Sequence, residues 1–319
     1  MRGITRRAFV RSGLVTGFGV TFLRRALWAA EPAPSPALLD LPLIDSHVHF
    51  WDTALLDYSW LGNSPIGGPK LPSDYWQATA GFQVEKVVFV QAECRRDQAL
   101  DEAAWVEKLA AKDPRIAAIV AFAPMDDPKG LAKALEAFAR RPLVRGIRHL
   151  IQGEQSAGFC LRPQFVEGVK RLPESKLVFE VGARAEQLPD VAKLVEQCPQ
   201  VSFVLNHLGN PNIKQETFTP WDENIRRLAA LPNISCKVSG AATRADWKSW
   251  KAEQLKPYVL HVLQAFGFDR VMFGSDWPVC TLACRFRQWA EALNEITRGY
   301  TRDERERLFA RNARKVYRL

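Results

Sequence analysis

The 319-residue sequence lacks several patterns that would place it in a common class of protein. It has no long polar or low-complexity tract, which argues against disorder, and no internal repeat of the kind found in solenoids. Its six cysteines form no Cys-x-x-Cys pair, which argues against a zinc ribbon, and no Gly-x-Gly-x-x-Gly motif follows the first apolar run. With 47% hydrophobic and 25% charged residues, the chain is typical of a globular protein with one large core.

Acidic residues are absent from residues 1–30, which carry six arginines. These arginines account for six of the formal net charge of +9, so the rest of the chain carries only +3. The largest basic cluster in that remainder, residues 302–318, has Asp and Glu interleaved and is typical of a solvated helix face. The charge distribution therefore argues against a nucleic-acid partner.

The basic N-terminal segment has the parts of an export signal. Residues 5–11 resemble the twin-arginine motif, and an apolar run, too short for a permanent transmembrane helix, precedes a proline-rich stretch that ends at Pro36. We therefore predict a twin-arginine-type signal and linker in residues 1–36, followed by one domain in residues 37–319. The expected partner is the twin-arginine export machinery, and the expected location is the periplasm, or the membrane if the signal is uncleaved. A basic amphipathic arm is the alternative, because Arg24 and Arg25 interrupt the apolar run.

From residue 43 onward, short apolar runs rich in Val, Ile and Phe alternate with amphipathic stretches. Such runs are typical of buried parallel strands, and helical periodicity separates them. The eight predicted strands are Leu43–His47, Lys86–Glu93, Ile116–Pro124, Val144–Leu150, Leu177–Gly182, Val201–His207, Ile234–Ser239 and Val271–Ser275. Eight strand–helix units in sequence predict an α/β fold, a single-domain (β/α)₈ TIM barrel.

The longest interval between predicted strands follows the first strand and is rich in tryptophan and glycine. It runs from Trp51 to Trp76. At the catalytic end of a barrel, such a segment could form a wall or lid over the site, and Trp51 would then contact substrate. A surface excursion packed by its own aromatic side chains is an equally good interpretation.

The strongest functional signal is a His-x-His pair, His47 and His49, at the end of the first predicted strand. Side chains alternate along a strand, so two histidines that are two residues apart point to the same side. They can then hold one metal ion or one substrate oxygen together. Because active sites of these barrels lie at the carboxyl ends of the strands, a functional role is favoured over a structural one.

A carboxylate follows the last predicted strand at Asp276, within the sequence Gly-Ser-Asp-Trp-Pro. Strands one and eight are neighbours in a closed barrel, so Asp276 can face the histidine pair. It could take a proton from an attacking water or ligate a metal. Capping of the next helix is the structural alternative.

Other strand ends also carry polar residues. Asn206 and His207 end strand six, and Arg148 and His149 end strand four, where a cation and an imidazole suit a carboxylate or a polarised carbonyl. A structural ion pair remains the alternative for strand four. Glu93 ends strand two and could supply a further polar contact. We predict Arg148, His149, Glu93 and Asn206 as substrate contacts and His207 as a catalytic residue.

Four of these motifs together resemble the amidohydrolase-related family of TIM-barrel hydrolases. They are His47-Val-His49-Phe-Trp, Gly-Ile-Arg-His149, Asn-His207-Leu-Gly-Asn-Pro and Gly-Ser-Asp276-Trp-Pro-Val. The segment at residues 311–317 resembles the C-terminal helix of that family, so the resemblance spans about residues 43–319. Within the family, the motifs are most similar to the sugar-lactone and dicarboxylate lactone hydrolase branch.

The resemblance implies hydrolysis of a small-molecule lactone, derived from a sugar acid or a small carboxylate. Asp276 would shuttle the proton, while histidine and arginine side chains polarise the carbonyl. Related hydrolases bind zinc or manganese through the His-x-His, a histidine on strand five and the last aspartate. Strand five has no histidine here. The resemblance therefore implies either one weakly held divalent ion at His47, His49 and Asp276 or no metal at all, and it leaves His207 as a catalytic helper.

Two other functions remain open at this point. One is a metal-dependent non-oxidative decarboxylase, which resembles this chain in the His-x-His and the final aspartate but typically has the strand-five histidine. The other is a non-catalytic exported binding protein, which Asp276 and three strand-end histidines argue against. The oligomeric state is not predicted.

Overall fold

Eight parallel strands form a single sheet in which each strand pairs with the next along the chain. The computed structural model describes residues 40–319, so the predicted signal, residues 1–36, lies outside the described residues. The strands are β1 (Leu43–Val48), β2 (Val84–Val90), β3 (Ile116–Ala121), β4 (Val144–Arg148), β5 (Val178–Val181), β6 (Phe203–Leu205), β7 (Ile234–Val238) and β8 (Val271–Phe273).

The first and last strands approach each other closely enough to make the sheet a nearly closed barrel. The amide of Asp276 donates to the carbonyl of His47 at 2.9 Å, and the amide of His49 donates to the carbonyl of Trp277 at 2.7 Å. These bonds join the ends of β1 and β8. The seam between the two strands is therefore also the place where the predicted functional residues meet.

Helices surround the barrel and connect its strands. They are α1 (Pro72–Ala78), α2 (Ala99–Ala110), α3 (Pro128–Ala139), α4 (Pro163–Lys170), α5 (Leu188–Gln197), α6 (Trp221–Ala229), α7 (Ala241–Arg244), α8 (Ala252–Phe266), α9 (Phe286–Ile296), α10 (Arg302–Glu306) and α11 (Asn312–Tyr317), with a π-helical turn at Arg307–Arg311 between the last two. Proline at the first position of α3 and the Asp127 cap, whose carboxylate accepts from the amide of Lys129, set where that helix begins. Within residues 40–319, no helix has both the length and the apolar character needed to span a membrane.

The hydrophobic core has two layers. The larger layer lies between the strands and the surrounding helices. The smaller layer fills the barrel interior with side chains such as Ile44, Val120 and Met272, and it includes Ala313 and Tyr317 of α11. The six cysteines are buried and unpaired.

Candidate active site

A cavity of about 570 Å³ lies where the strands of the barrel end. Five of the predicted site residues line it: His49, Glu93, Arg148, His207 and Asp276. Because these residues follow or end five different strands, the barrel brings together positions that are far apart in the sequence.

Three histidines converge on one carboxylate oxygen in this cavity. The Oδ1 atom of Asp276 lies 3.4 Å from Nε2 of His49, 3.7 Å from Nε2 of His47 and 4.0 Å from Nε2 of His207. His47 is fully buried beneath His49, and their Nε2 atoms are 3.2 Å apart. The four residues predicted to form one site are therefore close neighbours.

The other ring nitrogens are held by neighbouring groups, and this orients the imidazoles. Nδ1 of His49 lies 2.7 Å from the carbonyl of Val90, which can only accept, so this nitrogen carries the proton. The other ring nitrogen, Nε2, faces Asp276. Nδ1 of His207 lies 2.9 Å from the hydroxyl of Ser239. Such contacts fix which nitrogen is offered to a ligand.

Three of the predicted site residues have left-handed backbone conformations two or three residues after their strands end. The φ angles are 56° at Glu93, 54° at His207 and 60° at Asp276. Non-glycine residues with positive φ are uncommon, and they cluster at functional sites where the backbone turns to aim a side chain. Glycine is required next to His207 for a related reason: a Cβ on Gly240 would lie 2.8 Å from Nδ1 of His207.

A buried carboxylate, Asp45, holds the two sides of the site together. Its Oδ1 atom accepts from the amides of Ser275 at 2.8 Å and of His47 at 3.2 Å, while Oδ2 accepts from the hydroxyl of Tyr75 at 2.9 Å. Burial raises the pKa of Asp45 to about 6. Asp45 thus connects β1, which carries His47, to the residue that precedes Asp276.

A buried ion pair lies beneath the histidines. Nζ of Lys237 is 2.8 Å from both carboxylate oxygens of Glu180 and 3.3 Å from Nδ1 of His47. Burial lowers the pKa of Lys237 to about 8. Burial acts to raise the pKa of Glu180, but Lys237 outweighs it and holds that pKa below its ordinary value. The side chain of Glu180 therefore lies inside the barrel.

Lys237 was missed by sequence reasoning, although one signal could have found it. It is a lysine in the middle of the short apolar strand β7, Ile-Ser-Cys-Lys-Val. Lysine is almost never fully buried unless it is paired, so a lysine at such a position indicates a buried carboxylate nearby.

Burial and the neighbouring charges leave Asp276 ionised and the imidazoles of His47 and His207 neutral at neutral pH. Burial acts to raise the pKa of Asp276, but His207, His49 and Arg148 outweigh it and hold that pKa below its ordinary value. Burial lowers the pKa of His207 to about 4, although the carboxylate of Asp276 opposes this shift. Burial also holds the pKa of His47 well below its ordinary value, with the charge of Lys237 adding to the effect. The ionised carboxylate of Asp276 thus lies beside the neutral imidazoles of His47 and His207.

The same side chains fit a divalent metal ion. Atoms of His47, His207 and Asp276 lie within 4.8 Å of one another, and they are imidazole nitrogens and a carboxylate oxygen, the donors that zinc prefers. His49, which sequence reasoning placed in the ligand set, offers its Nε2 beside them. Arg148 lies close to this donor set, because its Nη1 atom is 3.4 Å from Nε2 of His47.

Three predicted substrate contacts do not line the cavity. His149 lies on the helix side of its strand among Phe159 and Phe165, because alternation along the chain turns Arg148 inward and His149 outward. Asn206 lies deeper and donates to Glu180 at 2.8 Å, and the indole of Trp51 donates to the carbonyl of Gly68 at 2.7 Å.

The tryptophan-rich interval after β1 both packs on itself and reaches the site. Trp51, Tyr58 and Ile66 belong to a small hydrophobic cluster of their own. Trp60 lines the cavity, and its Nε1 atom donates to the carbonyl of Ala92 at 2.7 Å. Helix α1 also lies in this interval.

Comparison with known proteins agrees with this geometry. Residues 44–319 match the Amidohydrolase family. The chain is 32% identical to an L-fucono-1,5-lactonase of Burkholderia multivorans over 86% of this chain and 96% of the relative. It is 23% identical to an L-rhamnono-gamma-lactonase of Scheffersomyces stipitis over 87% of this chain and 98% of the relative.

Among solved structures, a zinc-bound amidohydrolase from Burkholderia multivorans is similar to this chain with a TM-score of 0.80 and 32% sequence identity. The match covers 89% of this chain and 100% of that one. The family match over nearly the whole described chain, the extent of these similarities and the barrel-end site together lead to one conclusion. This chain belongs to the Amidohydrolase family.

Proposed function

We propose that this protein hydrolyses a lactone of a sugar acid by adding water to the lactone carbonyl. The observation that carries the proposal is the ionised Asp276, whose Oδ1 atom faces three imidazole nitrogens within 4.0 Å at the base of a cavity. The lactonase names of two relatives support the choice of a lactone as substrate.

The reaction follows from the positions of these side chains. Asp276 accepts a proton from water as the water oxygen bonds to the carbonyl carbon, and the carbonyl oxygen becomes an oxyanion. Arg148, whose guanidinium borders the cavity, donates to that oxygen. The bond from the carbonyl carbon to the ring oxygen then breaks, and the proton returns from Asp276 to the ring oxygen. His207 is close enough to Asp276 to assist this transfer.

His47, His207 and Asp276, with His49 beside them, would hold a zinc or manganese ion. Such an ion supplies Lewis-acid polarisation of a carbonyl oxygen. The positive charges of Arg148 and Lys237 near His47 repel a cation and lower the affinity of the site for it. We therefore expect the ion to dissociate readily. Elemental analysis before and after dialysis against a chelator measures this, and His207→Ala should lower the metal content. A tightly retained stoichiometric ion would contradict the expected weak binding.

A lactone panel tests the reaction. Purified protein should release acid from 1,5- and 1,4-lactones of sugar acids, detected with a pH indicator. Asp276→Asn should lower the rate by about 10²- to 10⁴-fold, the usual contribution of a general base, with little change in melting temperature. Release of CO₂ from an aromatic acid without opening of any lactone would favour the decarboxylase instead. Strand β5 supplies Glu180, held by Lys237, where that class typically has histidine.

Export by the twin-arginine machinery is the second part of the proposal. It rests on the arginine pair and the apolar run within residues 1–36. A reporter fused to these residues should reach the periplasm. Replacing Arg6 and Arg7 by lysine should keep the reporter in the cytoplasm, and equal export of the two forms would rule out this route.

A further inference from the structure

A second cavity, of about 750 Å³, lies beside the active-site cavity. The two cavities share four lining residues: Asn210, Thr243, Arg244 and Trp247. The remaining wall of the second cavity comes from the segments that follow β5, β6 and β7. A ligand bound at Asp276 therefore has a neighbouring space that the proposed reaction on a single small ring does not use.

The shared wall is held in place by hydrogen bonds. Nε of Arg244 donates to Oδ1 of Asn210 at 2.7 Å, and the amide of Lys214 donates to the carbonyl of Arg244 at 2.8 Å. The side chain of Asn210 in turn donates to the carbonyl of Ala183 at 2.7 Å. Arg244 thus stands at the border of both cavities with its two terminal nitrogens making no hydrogen bond to residues 40–319.

Trp247 has a large apolar side chain that is half exposed where the two cavities meet. Its exposed fraction is 50%, while its Nε1 atom donates to the carbonyl of Thr243 at 3.0 Å. This bond fixes the ring. An oriented, exposed aromatic face next to polar side chains is typical of a binding surface for a ligand with one apolar face.

We propose that the second cavity binds a further sugar unit, so that the substrate is a lactone bearing a glycosyl substituent. This inference rests on the proposed lactone hydrolysis. A sugar ring has a face of C–H groups, which suits Trp247, and a rim of hydroxyl groups. Asn212, Lys214 and Asp246 line the cavity and offer donors and acceptors to that rim. Lys248, whose Nζ forms no ion pair with residues 40–319, adds another donor.

The experiment compares each monosaccharide lactone with its glucosylated derivative. The simplest pair is D-glucono-1,5-lactone and cellobiono-1,5-lactone. We expect kcat/KM to be about tenfold higher for the glucosylated member, a factor that corresponds to about 1.4 kcal/mol of additional transition-state binding. Trp247→Ala should lower the ratio of the two kcat/KM values by about the same factor. Lys248→Ala should lower the ratio in the same direction.

Trp60→Ala is the matched control, because Trp60 lines the active-site cavity and not the second one. It should lower kcat/KM for both members of a pair to a similar degree and leave the ratio unchanged. Opening of monosaccharide lactones without any preference for glucosylated ones would overturn the second subsite alone. Failure to open any lactone would overturn the proposed function and this inference with it.

Discussion

Lysine 237 and Glu180 form the most deeply buried pair of opposite charges described in the barrel, with both side chains fully inaccessible to solvent. Transfer of each charge from water to the protein interior is unfavourable by about several kcal/mol. Only close pairing together with further hydrogen bonds offsets this desolvation penalty. Glu180 has these bonds, because Asn206 and Tyr317 also donate to its carboxylate. The pair is therefore satisfied, but each member depends on the other.

Replacing one member of this pair should lower the free energy of unfolding more than replacing both members. Lys237→Met should lower the free energy of unfolding by about 3–5 kcal/mol, because it leaves the Glu180 carboxylate buried without a counter-charge. The double variant with Glu180→Met should be more stable than either single variant. Urea unfolding of the four proteins measures this coupling. If the loss in the double variant equals the sum of the two single losses, the side chains do not act as a pair.

Residue patterns in the sequence predicted part of the site. His47, His49, His207 and Asp276 could be predicted, because polar residues at the ends of apolar strands stand out against their surroundings. The direction of a side chain that lies beyond the end of a strand could not be predicted in this way. His149 follows Arg148 by one residue and faces the helices, and this depends on where β4 ends.

At the scale of elements, β1 and β8 meet along a seam that also carries the proposed catalytic groups. The alternation of apolar runs predicted all eight strands, since most residues of each strand are buried. All the predicted runs except the first extended too far at their carboxyl ends, as at His207, where β6 already ends at Leu205. At His207 the backbone adopts a left-handed conformation, which cannot be predicted from the hydrophobicity of the sequence.

The seam should be sensitive to the loss of Asp45. Asp45→Ala leaves the amides of Ser275 and His47 without their acceptor, so we expect kcat to fall by at least about tenfold through misplacement of His47 and Asp276. Asp45→Asn keeps one acceptor oxygen and should recover most of the activity. Kinetics well below the melting temperature measure the effect. Tyr75→Phe is the control, since it removes only the hydrogen bond to Oδ2 of Asp45. If Asp45→Ala and Tyr75→Phe had the same kcat, Asp45 would not be needed to position His47 and Asp276.

One buried carboxyl group of helix α2, that of Glu102, should make the free energy of unfolding depend on pH. Glu102 is buried, and its carboxylate accepts from the amide of Ala92 at 3.1 Å. Burial raises the pKa of Glu102 to about 7 from an ordinary value of 4.5, so the folded protein binds this proton more tightly than the unfolded chain. The stabilisation is present below pH 4.5 and is lost as the pH rises through about 7, amounting to about 3 kcal/mol.

Glu102→Gln should remove this dependence, because glutamine resembles the protonated acid at every pH. Chemical unfolding at pH 5 and pH 8 should show a smaller difference for the variant than for the parent protein. Glu223→Gln, which changes an exposed glutamate of α6, should leave the difference as it is. A parent protein that is equally stable at both pH values would contradict the expectation.

For the whole molecule, the C-terminal segment links the barrel interior to the site. Residues 302–317 form α10, a π-helical turn and α11. Asn312 holds this segment to the barrel by donating to the carbonyls of Phe268 at 2.6 Å and Val271 at 2.7 Å. The hydroxyl of Tyr317 then reaches Glu180, which binds Lys237. The last residues of the chain thus complete the hydrogen bonds of a carboxylate beneath His47, and no local sequence pattern indicates such a long-range contact.

Tyr317→Phe tests whether this contact stabilises the fold. It removes a hydrogen bond to a charged, fully buried acceptor and leaves the ring in place, so the free energy of unfolding should fall by about 1.5–3 kcal/mol. Tyr300→Phe is the matched control, since its ring packs on Phe268 in a partly exposed position and its loss should be much smaller. Urea unfolding of both variants gives the comparison. Equal stability of the two variants would mean that Glu180 is satisfied by Lys237 and Asn206 alone, and that the C-terminal segment contributes to the barrel only through its apolar side chains.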